Sequence, residues 1–243
     1  LKIKQLNRGK RCFHDSFVKK GLNGYMSNIT YKYIKQNSDI KTYINHADKA
    51  LAAMGYTEHC GPHAAITAEA AYDILQTLGY PERECELAQI AGYMHDIGNC
   101  INRANHAQTG ALMALNLLKS LDMPSEEIAV IISAIGNHDE HTANPVNAIA
   151  AAVILADKMD VRRSRVRGGI NDIHDRVNYA CVQSRYYFSE DKTELFLDLI
   201  IDKEISSIME YFEIFLQRMS LCRRSAETLG INFRLVMNNS KII

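Results

Sequence analysis

The stretch from Asp39 to Asp160 constrains this chain most. Its apolar residues recur at helical spacing throughout, glycine and proline fall between the segments, and β-branched alternation is almost absent. That pattern excludes a sheet-based core there and predicts helices near 40–54, 61–78, 82–97, 105–121, 124–137 and 145–160. Gly55, Gly79-Tyr80-Pro81, Gly98, Pro124 and Pro145 stand where these helices should end or begin. The expected product is a compact helical bundle.

Beyond the arginine-rich VRRSRVRGG the period changes. Ala180 to Ser189 and Thr193 to Asp202 alternate in strand fashion around the polar turn SEDKT, and LFLDLIID carries Leu195, Leu197, Leu199 and Ile201 on one face. A long helix from Glu204 to Leu229 and a third strand in INFRLVMN complete a ββαβ unit, expected to pack on the bundle or to mediate formation of a homodimer. The fold class is therefore mainly α, a helical bundle followed by a small C-terminal α+β unit. The expected division is 1–39, a basic N-terminal extension disordered in part; 40–168, the bundle; and 169–243, the ββαβ unit.

Up to Tyr25 the only acid is Asp15, against seven Lys and Arg, and Met26 follows as a plausible initiator. The expectation is that residues 1–25 are a disordered extension or an upstream translation artefact, with a basic nucleic-acid-binding arm as the functional alternative. Over the whole chain 28 basic residues balance 28 acidic ones, which argues against a dedicated nucleic-acid binder. Cys12, Cys60, Cys85, Cys100, Cys181 and Cys222 are scattered without C-x-x-C spacing, as in a reducing cytoplasm with unpaired thiols. No apolar run is long enough to span a bilayer, and the basic beginning lacks the apolar segment of a secretory signal. A cytoplasmic protein with no membrane partner is the expectation.

The stretch AGYMHDIGN sets His95 and Asp96 side by side at the inner end of an apolar helix, where an unpaired charge is expensive to bury. Helical spacing turns two further groups inward. His63 shares a face with Ile66, Ala70 and Ile74; Asp157 shares one with Ala150, Val153 and Ile154. Singly, such residues are ordinarily hydrogen-bonded core histidines or caps. Together, two histidines and two carboxylates converging from separate helices would remain undersatisfied unless a divalent cation organised them, and imidazole with carboxylate suits Mn, Fe, Co, Ni or Zn.

The order His63, then His95-Asp96, then Asp157, set in PHAAITAEAA, IAGYMHDIGN and AAVILADKMD, resembles the HD-domain metal-dependent phosphohydrolase superfamily over about residues 40–168. His174-Asp175 and His14-Asp15 are further HD dipeptides that do not complete the set and are read as surface residues. His59 rivals His63 as first ligand but precedes Gly61-Pro62, outside the helix. NHAQTGALMA, with His106, and AIGNHDEHT, with His138, are similar to segments of the bacterial HD hydrolases that cleave diadenosine tetraphosphate. By that resemblance His106 and His138 would hold a second ion, with Asp96 bridging the pair. The residue-level alternative is a helix N-cap for His106 and a dipole-paired C-terminal cap for His138. Asp139 would ligate or orient its neighbour, and His141 is expected in the solvent.

The resemblance implies a phosphohydrolase in which His63, His95, Asp96, His106, His138 and Asp157 bind metal and His95 and Asp96 are catalytic. Two divalent ions, of Fe, Mn, Co, Ni, Mg or Zn, would lower the pKa of a bridging water for attack on a nucleotide or another small phosphorylated substrate. Lys158, Arg162 and Arg103 are the candidates for holding its phosphate, against the alternative of a solvated basic helix end. NHDEHTANPV departs from the signature of the cyclic-dinucleotide branch, and Ile97-Gly98-Asn99 lacks the acidic pair of the alarmone hydrolases. The competing functions are an HD-type di-iron oxygenase and a non-catalytic nucleotide- or metal-sensing module.

Overall fold

The computed structural model describes residues 29–59, 61–170 and 172–243. The expectation for residues 1–25 lies outside the described residues. In chain order the bundle consists of α1 (Tyr31–Gln36), α2 (Ser38–Ala53), α3 (Gly61–Thr77), α4 (Glu82–Met94), a 3-10 turn (Ile97–Cys100), α5 (His106–Ser120), α6 (Ser125–Gly136) and α7 (Ala148–Met159). After a second 3-10 turn (Arg163–Arg165) come α8 (Ile173–Ala180), β1 (Cys181–Phe188), β2 (Glu194–Ile201), α9 (Ile208–Thr228), β3 (Asn232–Met237) and the two-residue β4 (Ser240–Lys241).

A helix that is apolar all round must be enclosed all round. α7, with sequence AIAAAVILADKM, meets this condition: every residue from Ile149 to Met159 is buried, and α3, α4, α6 and α9 all pack against it. Asn147 starts it by accepting a hydrogen bond from the Ala150 amide at 2.8 Å. α3 and α4 approach closely because small residues line their contact; a Cβ on Gly92 would stand 3.0 Å from the carbonyl oxygen of Thr67. Gly98 serves the same purpose for α5. A Cβ there would collide with the carbonyl of His106 and lie 2.5 Å from the amide nitrogen of Gly110.

In the C-terminal unit the strands run in the order β1-β2-β3-β4, with β1 antiparallel to β2, β2 parallel to β3, and β3 antiparallel to β4. α9 makes the crossover between the parallel strands, and it starts with a capping box in which Ser207 and Glu210 satisfy each other's amides. Leu195, Leu197, Leu199 and Ile201 are buried on one face, as their alternation predicts. The unit packs on the bundle through α9 and β1 against α7, where the Ser184 hydroxyl donates to the Met159 carbonyl at 3.0 Å.

The mainly α bundle with its appended α+β unit agrees with the sequence pattern, and the differences lie at ends and in short elements. α4 stops at Met94 rather than near residue 97, which leaves His95 and Asp96 in the turn that follows. α7 stops at Met159, and Arg162 to Arg167 lie on an exit loop and one 3-10 turn. α1 and α8, of 6 and 8 residues, and β4 are too short for periodicity to mark.

Candidate metal centre

His63 lies in the first turn of α3 and is buried with Ala70 and Ile74. Ile66, read on the same face, is 37% exposed, because at 3.6 residues per turn a three-residue step carries it about 60° round the helix. His95 follows the last residue of α4, Asp96 leads into the 3-10 turn, His106 opens α5, His138 stands just past α6, and Asp157 projects from the last turn of α7. All six are buried.

Three of the four imidazoles are anchored alike. The ring Nδ1 of His95 lies 2.7 Å from the carbonyl of Gly92, that of His106 3.0 Å from Arg103, and that of His138 2.6 Å from Ile135. Each partner is three residues earlier, at a helix end or turn whose carbonyls lack a regular helical partner. A carbonyl only accepts, so Nδ1 must donate, and the neutral ring then carries its lone pair on Nε2. His63 has the same polarity, with Nδ1 2.7 Å from Asp160 Oδ2.

The Nε2 atoms converge on two carboxylates. Asp96 Oδ2 lies 3.2 Å from His95 Nε2 and 4.0 Å from His63 Nε2, while its Oδ1 lies 3.3 Å from His106 Nε2 and 3.7 Å from His138 Nε2. Asp157 Oδ1 is 3.3 Å from His63 Nε2 and 3.8 Å from His95 Nε2. Its Oδ2 is held by Lys158 Nζ at 2.6 Å. His63, His95 and Asp157 form one group whose ligand atoms all lie within 4.8 Å of one another; His95, Asp96 and His138 form a second.

This donor set fits divalent cations. Among the described residues the buried Nε2 atoms of His63 and His95 have no hydrogen-bond partner, and His106 Nε2 and His138 Nε2 face each other at 3.2 Å. Opposed lone pairs need a proton or a cation between them, and an orphaned buried acceptor is costly without one. Burial works against ionisation of Asp96, but His95, His106 and His138 overcome it and hold the carboxyl well below the usual range. For Asp157 burial is likewise overcome, mainly by Lys158. Burial lowers His138 to about 4, so its ring is neutral at physiological pH. For His95 burial also disfavours the charged ring, but Asp96 and Asp157 outweigh it and raise the imidazole, so a cation bound there would displace its proton.

The cap readings are thus accounted for at Nδ1 and leave Nε2 unexplained. His59 stays on the loop before α3, with its ring 5.7 Å from that of His63, and belongs to neither ligand group. Asp139 Oδ1 is 4.0 Å from His106 Nε2. His141 and His174 are exposed. Of the phosphate candidates, Arg103 stands over the centre, 3.8 Å from Asp96 Oδ1, with its guanidinium 5.6 Å from the Tyr56 ring. Lys158 is buried against Asp157. Arg162 turns away, its Nε 2.6 Å from Asp160 Oδ1 and its Nη2 3.7 Å from Glu58 Oε2.

Sequence reasoning gave no role to Asp160 or to Asn99, whose Nδ2 donates to Asp96 Oδ1 at 2.8 Å. Both follow a ligand by three residues, within ADKMD and HDIGN, but only the chain's departure from the helix at each place aims them back at the site.

A helical core that gathers buried imidazoles and carboxylates in this way is a donor set suited to divalent cations. The family model of the HD domain matches residues 61–162, and that segment is similar to the HD-domain superfamily. The uncharacterized protein MJ1020 of Methanocaldococcus jannaschii is 23% identical over 202 residues, 72% of this chain and 77% of that protein. A crystal structure described as a predicted HD superfamily hydrolase, from an uncultured Thermotogales bacterium, is 22% identical, with a TM-score of 0.41, covering 51% of this chain and 67% of the other. No described helix is long and apolar enough to cross a membrane.

Proposed function

We propose that this chain is a two-metal phosphohydrolase acting on a small phosphorylated substrate, a nucleotide being the class the motif style favours. One observation carries the reading: Asp96 turns one oxygen to His63 and His95 and the other to His106 and His138. A carboxylate so placed can serve two cations at once. His63, His95 and Asp157 would hold one; His106 and His138 would hold the other. Bound cations supply an acidified water and neutralise phosphoryl oxygens.

The chain's own residues do the rest. Asn99 fixes the rotation of the Asp96 carboxylate, and the i−3 carbonyls fix three of the rings, so that the ligands are ordered before a substrate arrives. Lys158 occupies the outer oxygen of Asp157 and leaves Oδ1 directed inward. Arg103, 32% exposed in its side chain and 3.8 Å from Asp96 Oδ1, would meet the substrate's phosphate.

The test is metal analysis of the purified protein followed by an anaerobic screen of nucleotides and phosphomonoesters with Mn, Fe, Co, Ni and Mg. Phosphate release without oxygen, lost in Asp96→Ala, is the expected result. Turnover that requires oxygen and iron would instead favour the oxygenase reading. Filled metal sites with no turnover of either kind would favour the sensing module.

A further inference from the structure

His63 differs from the other three imidazoles in what anchors it. His95, His106 and His138 rest on main-chain carbonyls, whereas His63 Nδ1 meets the carboxylate of Asp160 at 2.7 Å across 97 residues of sequence. A hydrogen bond to an ionised acceptor is about twice as strong as one between neutral groups. It also holds the ring in the Nδ1–H tautomer and makes the opposite nitrogen a better donor to a metal. We propose that Asp160 is a positioning residue that fixes the tautomer of His63 and makes the corner formed by His63, His95 and Asp157 the tighter of two cation positions. The ranking rests on the two-metal reading above.

Asp160 is itself held from several sides. Arg162 Nε lies 2.6 Å from Oδ1 and Arg162 Nη2 3.0 Å from Oδ2, while Arg165 Nη1 donates to the Asp160 carbonyl at 2.7 Å. Arg165 is buried and ties two loops together, because its Nε donates to the Glu58 carbonyl at 2.9 Å and its own carbonyl accepts from the Glu58 amide at 2.7 Å. The loop before His63 and the loop after Asp157 are therefore fixed to each other through Asp160 and Arg165. Arg162, which the sequence reading offers as a phosphate ligand, acts in this frame together with Arg165.

Among the described residues the opposite corner has no such device. Its rings rest on carbonyls of their own segments, and Asp139, the acid beside it, stays 4.0 Å from His106 with its side chain 20% exposed. Net charge does not make the difference, since Lys158, Arg162 and Arg165 offset much of the negative charge around Asp157 and Asp160. The hydrogen bond to His63 does. Asp160 offers acceptors to three side-chain donors, His63 Nδ1 and two from Arg162. An asparagine has one oxygen for them, so its amide N–H is driven toward Nδ1 and the ring toward the Nε2–H tautomer, which cannot bind a metal.

The experiment titrates the metal-free full chain with Co(II) by absorption and with Mn(II) by calorimetry, in wild type, Asp160→Asn and His138→Ala. Wild type should bind in two steps. His138→Ala should remove the weaker step alone, and Asp160→Asn should weaken the tighter step about 10–100-fold while leaving the weaker one. Histidine-labelled nitrogen NMR of the metal-free proteins should show His63 as Nδ1–H in wild type and shifted toward Nε2–H in Asp160→Asn, a change that mere loosening of the fold would not produce. Two-step binding with both steps and the His63 tautomer unchanged in Asp160→Asn would overturn the proposal. So would loss of the weaker step. Wild type that binds no divalent ion would overturn the two-metal reading itself, and the ranking with it.

Discussion

Asp96 Oδ1 lies 3.3 Å from His106 Nε2, although a 3-10 turn and a loop separate the two residues. The same carboxylate reaches His95 with its other oxygen. Asp96→Asn should therefore deplete both cations, where a change at an outer ligand depletes one. Metal content by elemental analysis should fall toward zero. Phosphatase activity should drop at least about a hundredfold, which corresponds to losing roughly 3 kcal/mol of transition-state stabilisation. Retention of one full equivalent would mean that Asp96 does not bridge.

The approach of α5 to the dyad depends on Gly98. A Cβ there meets backbone, the His106 carbonyl and the Gly110 amide, and backbone cannot move aside as a side-chain tip can. Gly98→Ala should cost about 1–3 kcal/mol of stability, the usual range for overpacking, and should displace His106. Gly168→Ala is the control, because nothing lies within 4 Å of its added Cβ. Equal unfolding midpoints for the two variants would contradict the packing argument.

Lys158 and Asp157 form a buried ion pair at 2.6 Å. Removing one member of such a pair leaves an uncompensated charge and costs about 3–5 kcal/mol. A cation on the other oxygen of Asp157 would compensate it. Lys158→Met should accordingly lower the melting temperature much more in chelator than in saturating Mn(II). The same loss in both conditions would argue that no cation binds at Asp157.

Arg103 and Arg162 separate two roles that the sequence reads alike. Arg103→Ala should raise KM for the phosphorylated substrate about tenfold or more, the effect of losing one charge-assisted hydrogen bond. Arg162→Ala should leave KM nearly unchanged and instead weaken metal retention, since its partner is Asp160. Steady-state kinetics over a range of metal concentrations would distinguish these outcomes.

Glu210 at the start of α9 is lowered to about 2 by the Ser207 amide, the Arg176 guanidinium and the Ser206 hydroxyl. A carboxyl with a depressed folded-state pKa contributes stability above its ordinary value, near 4.5, and that contribution disappears as the pH falls toward 2. Wild type should lose thermal stability through this window. In Glu210→Gln, which keeps an acceptor for the cap, the slope should be shallower. Parallel melting-temperature profiles between pH 5 and 2 would count against the assignment.

Much of this molecule follows from local chemistry. The inward positions of His63 and Asp157 are a matter of helical period, and the change to alternating strands after VRRSRVRGG needs only the side-chain pattern of LFLDLIID. These features depend on residues a few positions apart, which interact whatever the rest of the chain does. Two further kinds of feature depend on distant partners. The ends of α4 and α7, at Met94 and Met159, fall where the chain leaves the helix toward the site, and a periodic pattern does not record that. The partners Asp160 for His63, Arg165 for Glu58 and Arg162 for Asp160 join segments or turn charges inward only once the helices are packed. The sequence by itself narrowed the candidates for cation binding to a few histidines and aspartates. Only the tertiary structure decided which nitrogen of each ring faces the two carboxylates, because that choice belongs to the hydrogen bond on the opposite side of the ring.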